Sequence, residues 1–89
     1  MEISRKTERL LKAFANQRRL AILAFLKTNG RTPVGQIADA IRLSFTATSR
    51  HLRLLELMDI VQKEQRGLEV YYSIAGEQKS LSKSILGHF

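Results

Sequence analysis

The sequence predicts a mainly α-helical fold with one small β-hairpin. Apolar residues recur at helical spacing from Ile3 through Met58. Strand-like alternation appears later, where Val70, Tyr72 and Ile74 interleave with Glu69, Tyr71 and Ser73. No stretch rich in Pro, Gly or Ser separates these parts, so residues 1–89 read as a single domain. Chains of this length are too short for a barrel or a doubly wound sheet. A domain this small buries only about 60–65% of its unfolded surface, so a dimer interface would add useful stability.

The elements follow in order. Ile3, Thr7, Leu10, Leu11 and Phe14 lie at helical spacing, with Ser4 placed to cap and Arg5, Lys6, Arg9 and Lys12 facing outward. Asn16 is a suitable cap for a second helix. Residues 20–26 are apolar nearly all round, which predicts a central, largely buried helix ended by Asn29 and Gly30. Thr32 and Pro33 read as the cap and first residue of a third helix carrying Val34, Ile37, Ala38 and Ile41. Ser44 caps a fourth helix over 44–58, whose inner stripe is Thr48, Leu52, Leu55 and Met58. Asp59 ends it. Two strands over 60–66 and 69–74 flank Gly67 and predict a hairpin. Leu81, Ile85 and Leu86 suggest a short last helix beyond Gly76.

A short helix joined to a longer one by two or three residues is a helix-turn-helix, and the hairpin after it makes the motif winged. The expected architecture is therefore a winged helix-turn-helix: helices around a central buried helix, with a two-stranded wing over 60–74.

Charge narrows the partner. Lys and Arg number 15 against 8 Asp and Glu, a formal net charge of +7. That balance favours an anionic partner, nucleic acid first and an acidic protein or membrane surface second. The fourth helix concentrates the signal. Thr46, Ser49, Arg50 and Arg53 share its outer face, and no carboxylate occurs between residues 42 and 55. The chain has no cysteine, which excludes disulfides and thiolate metal sites. No run reaches the roughly 18 apolar residues of a membrane span, and the polar start is unlike a signal peptide. A cytoplasmic protein without a membrane partner is expected.

The residues also resemble a known family. Asn16-Gln17-Arg18-Arg19-Leu20-Ala21-Ile22-Leu23 is similar to the second-helix signature of the ArsR family of transcriptional regulators. Thr48-Ser49-Arg50-His51-Leu52, then Leu55 and Ile60-Val61, resembles its recognition helix and exit to the wing. Arg66-Gly67 with Val70-Tyr71-Tyr72 resembles the wing itself. The likeness covers about residues 9–75. It implies a homodimer held by the first and last helices that binds operator DNA, in most cases as a repressor. It does not extend to metal sensing. Pro33 and Gly35 stand where metal-sensing members carry paired cysteines, and the last helix, where other members carry an Asp/His and a His/Glu set, offers only Glu77 and His88. Neither a metal nor another cofactor is expected.

On double-stranded DNA each exposed residue has a defined use. Arg50 suits guanine O6 and N7, a bidentate pair worth about 1–3 kcal/mol of discrimination. Ser49 and Thr46 suit base edges or phosphate. Ser44 brings helix N-terminal amides toward a phosphate. Arg53, one turn on, suits phosphate. Lys63 and Arg66 suit the flanking backbone or minor groove. Phe45 reads equally as a contact to a thymine methyl or as core. Thr48 reads as core, one of Tyr71 and Tyr72 as core and the other as surface, and Arg18-Arg19 as helix surface. Ser49 and His51 are two residues apart and do not face each other, so they form no nucleophile–base pair. A half-buried His51 bonded to a neighbouring element is the better reading, and no enzyme is expected. Two alternatives remain at this level: a winged-helix protein-interaction module, and a nonspecific architectural nucleic-acid-binding domain.

Overall fold

The computed structural model describes residues 3–89. Helix α1 spans Arg5–Phe14, α2 Gln17–Asn29, α3 Val34–Ile41, α4 Phe45–Leu57 and α5 Ser80–Leu86. The strands are β1 Thr32–Pro33, β2 Val61–Arg66 and β3 Glu69–Ile74.

Local chemistry sets the helix starts. The Ser4 hydroxyl accepts from the Thr7 amide, Asn16 Oδ1 from the Arg19 amide and the Ser44 hydroxyl from the Ala47 amide. The predicted α1 stripe divides on packing. Leu10, Ala13 and Phe14 are buried, whereas Ile3 precedes the helix and it and Leu11 are exposed. Central α2 buries Ile22, Leu23 and Leu26 and turns the small residues Ala21 and Ala24 outward. These side chains meet Ile37, Leu52, Leu55, Ile60, Val61 and Tyr72 in one core.

Thr32 and Pro33 do not begin α3. They form an edge strand that pairs antiparallel with β3, Thr32 opposite Tyr72, so the sheet has three strands in the order β1-β3-β2. The Thr32 hydroxyl donates to the Gly30 carbonyl at 2.8 Å and is therefore not a helix cap. Proline is tolerated because β1 lies at the sheet edge, where a missing N–H breaks no central ladder. Strand β3 becomes the middle strand, and Tyr72 is buried where β1 and β2 flank it.

Two helix exits use left-handed residues, Arg42 at φ 57° and Asp59 at φ 59°. At the second, the Ile60 amide returns to the Leu55 carbonyl at 3.0 Å. Ile60 is thus fully buried in the exit, and β2 starts at Val61 rather than at 60. The hairpin closes through Gly67 and Leu68 between paired Arg66 and Glu69. Gly67 has φ 61° and Leu68 a negative φ, the pattern of a type II′ turn. No helix of the described residues is long and apolar enough to cross a membrane.

Candidate nucleic-acid interface

The turn between α3 and α4 is made by residues 42–44. Left-handed Arg42 reverses the chain, and the Leu43 amide reaches the Ala38 carbonyl at 3.0 Å. Capped by Ser44, α4 then presents two faces. Thr48, Leu52 and Leu55 are buried against the core. Ser44, Phe45, Thr46, Arg50 and Arg53 are exposed, and Ser49 is half-buried. Phe45 is 60% exposed, which decides between its two readings in favour of surface.

Arg50 and Arg53 form no ion pair among the described residues. Their guanidiniums are open to a partner. The wing cations differ. Lys63 Nζ lies 4.0 Å from Glu56, and Arg66 Nε donates to Glu64 at 2.9 Å. Arg31 holds the same Glu64 carboxylate from the other side at 3.0 Å. The Arg66 hydrogen bond, with the Arg31 charge adding to it, keeps the Glu64 carboxyl below its usual range. The Arg66 guanidinium also lies over the Tyr71 ring, 5.9 Å from its centroid. The structure therefore brings the α4 residues together on one open face, while Lys63 and Arg66 stand on the wing already paired with acids. Both pairs are partly exposed and so worth little to stability.

His51 is half-buried and its Nδ1 lies 3.3 Å from an Arg19 nitrogen. Arg19 Nε donates to the Ala13 carbonyl at 2.7 Å and Nη2 to the Lys12 carbonyl at 3.1 Å. These are carbonyls at the C-terminal end of α1, where a helix lacks internal partners and a cation is favoured. Arg19 is thus a clasp between three helices rather than plain surface. Sequence pattern gives no sign of it, because the fork reaches groups that carry no side-chain signature. The wing acid between two arginines was also missed. Once the hairpin register is known it is readable, since Glu64 and Arg66 are two apart on one strand.

A family model described as winged helix-turn-helix DNA-binding matches residues 16–62. The arsenical resistance operon repressor of Bacillus subtilis is 32% identical over 77 residues, covering 86% of this chain and 73% of the relative. The chain belongs to the ArsR family of winged helix-turn-helix transcriptional regulators. The transcriptional activator HlyU of Vibrio cholerae is 36% identical over 75 residues, covering 84% of this chain and 68% of the relative. A solved structure of a homodimeric winged helix-turn-helix domain from Mycobacterium bovis, a possible ArsR-family regulator, superposes with a TM-score of 0.79. It shares 32% identity and covers 93% of this chain and 73% of that one.

Within this ArsR-family fold, Pro33 ends β1 just before α3, and Gly35 lies in the first turn of α3. Glu77 precedes α5 and His88 follows it, so neither is on the last helix. Among the described residues no three His, Asp or Glu side chains gather to hold a metal ion.

Proposed function

We propose that the chain acts as a homodimeric repressor that reads a near-palindromic operator with α4 and steadies itself with the wing. The open, acid-free face of Thr46, Ser49, Arg50 and Arg53 carries this reading. Arg50 contacts a guanine edge, with Ser49 and Thr46 beside it. Ser44, Arg53, Lys63 and Arg66 hold phosphate, and Phe45 presses on a thymine methyl. The two wing cations exchange Glu56 and Glu64 for the DNA backbone as they dock.

Dimerisation through α1 and α5 is supported by apolar groups those segments leave uncovered. Ile3 is 63% and Leu11 45% exposed, and Leu81 and Ile85 are only half-buried. A two-fold dimer sets its α4 helices about 34–36 Å apart, one turn of B-DNA. Repression by operator occupancy is supported by the Bacillus subtilis relative, which is named an operon repressor. The HlyU relative is named an activator, so the position of the operator relative to the promoter decides the sign. The relatives are regulators, a non-enzymatic class, and no catalytic role is assigned to His51 or Ser49. A cytoplasmic setting fits a bacterial-type regulator whose partner is the chromosome.

Selection from random duplex DNA at about 0.15 M salt tests the reading. A near-palindromic sequence is the expected product. Binding without sequence preference that disappears as salt rises would replace it with an architectural role, and absence of DNA binding would replace it with a protein-interaction module.

A further inference from the structure

The tip of the wing carries a residue that phosphate binding does not need. Leu68 follows Gly67 in the two-residue turn and is fully exposed, the most exposed large apolar side chain among the described residues. Nothing in a type II′ turn requires leucine at that position. Gly67 beside it has open space where a side chain would stand, so the tip is slender. Behind the tip, in the free protein, Arg66 pairs with Glu64 and lies over the Tyr71 face, Arg31 pairs with Glu64, and Glu69 stands opposite Arg66 on the partner strand. The wing end is therefore apolar at its point and nearly neutral just behind it.

Leu68 also adjoins the reading face. A cleft of about 140 Å³ is lined by Leu68, Glu69 and Val70 from the hairpin, Phe45 from α4, and Pro33, Val34 and Gly35 around the start of α3. The leucine thus sits at the same end of the molecule as the N-terminus of α4. A protein that lays that N-terminus in a major groove carries Leu68 onto the DNA beside it.

Resting on the regulator reading above, we infer that Leu68 is a wedge: it enters the minor groove flanking each half-site, opens a base step and bends the operator. The chemistry fits the site. Leucine is among the side chains that unstack a step, and a narrow turn admits it without the strands following. Pyrimidine–purine steps deform most readily, so TA or CA at the flanking position is the preferred sequence, read through flexibility and not through a base-edge hydrogen bond. The wing then adds specificity outside the half-site that α4 reads.

The test uses the full chain and the duplex recovered by selection from random DNA. Binding is measured by fluorescence anisotropy across a salt series, and bending by energy transfer between dyes at the duplex ends. Wild type is expected to bend the duplex by some tens of degrees. L68A is expected to bind about tenfold more weakly and to lose most of the bend. Its slope of log affinity against log salt should stay unchanged, because leucine releases no counterion. L68M should retain both binding and bend. L68K is the sharpest variant. A wing that only touches the backbone would bind more tightly with an added cation, whereas the wedge predicts weaker binding and a straight duplex. Equal affinity and bend for L68A and wild type, or tighter binding by L68K, would overturn the wedge and leave α4 readout standing. Recovery of no preferred sequence by wild type would overturn both readings.

Discussion

An Arg19 guanidinium nitrogen lies 3.3 Å from Nδ1 of His51, and this contact joins the clasp on α1 to the helix proposed to read DNA. Arginine has no acceptor, so a hydrogen bond here requires His51 Nδ1 to accept, which selects the tautomer protonated on Nε2. The contact therefore favours the neutral ring over the charged one. Burial, then the charges of Arg19, Arg18 and Arg50, hold its pKa below the ordinary 6.5.

The sign of the resulting pH dependence follows directly. In the unfolded chain His51 takes up a proton near pH 6.5, and in the folded chain only at lower pH. The unfolded state binds more protons in that window, so stability is full above about pH 6.5 and falls as the pH drops toward the folded value. Urea unfolding at pH 7.5, 6.0 and 5.0 should show a modest decline. The H51Q variant, which keeps an acceptor and cannot titrate, should flatten that part of the profile. An identical decline in H51Q would assign the acid sensitivity to other groups.

Thr48 carries a second testable cost. Its side chain is fully buried, and Oγ1 has no hydrogen-bond partner among the described residues. A buried hydroxyl without a partner forfeits roughly 1–3 kcal/mol of hydration. Val has similar shape and a similar helix propensity. T48V should therefore stabilise the protein by about 1 kcal/mol, a rise of about 4–8 °C in Tm for a domain of this size. Thermal unfolding at one fixed protein concentration checks this, and a lower Tm would mean the hydroxyl is satisfied by water.

Gly30 ends α2 with φ 73° and ψ −157°, a region open essentially to glycine alone. A Cβ there meets nothing within 4 Å, so any penalty comes from the backbone and none from crowding. G30A should lose about 1–3 kcal/mol. Gly76 is likewise uncrowded but has no positive φ, and G76A should be neutral or slightly stabilising. Paired denaturation curves decide it, and equal midpoints for the two variants would contradict the backbone origin of the cost.

These residues also mark what was readable before folding. Ser44, Asn16 and Asp59 act on amides and carbonyls a few positions away, so their roles are written in short windows of sequence. The outer face of α4 was readable for the same reason, since helical spacing alone gathers it. Thr32 and Pro33 carried a convincing helix-start pattern, yet a strand partner brought back from the far end of the chain, Tyr72, took them instead. Ile3 and Leu11 kept helical spacing with the core residues but lie beyond the reach of the packed stripe. Arg19 and the Arg31–Glu64–Arg66 cluster depend on contacts between distant segments, which no local pattern encodes.

The proposed division of labour on α4 separates two arginines that sequence composition treats alike. Both are exposed and free of ion pairs among the described residues. One turn of helix sets Arg50 nearer the N-terminus, where the groove floor is reached, and Arg53 nearer the groove wall. R50A should lose about 1–3 kcal/mol on the preferred duplex and relax preference at one base position in each half-site. R53A should weaken every sequence about equally and lower the salt slope by roughly 0.9 for each phosphate that each protomer no longer neutralises. R66A should move the slope less than R53A, because Arg66 is already paired with Glu64 in the free protein and Arg53 is not, so Arg66 adds less net charge to the backbone on docking. Anisotropy titrations on the preferred duplex and on single-base variants, repeated at four salt concentrations, separate these outcomes. An unchanged preference in R50A would move the reading residue elsewhere on the face, to Ser49 or Thr46.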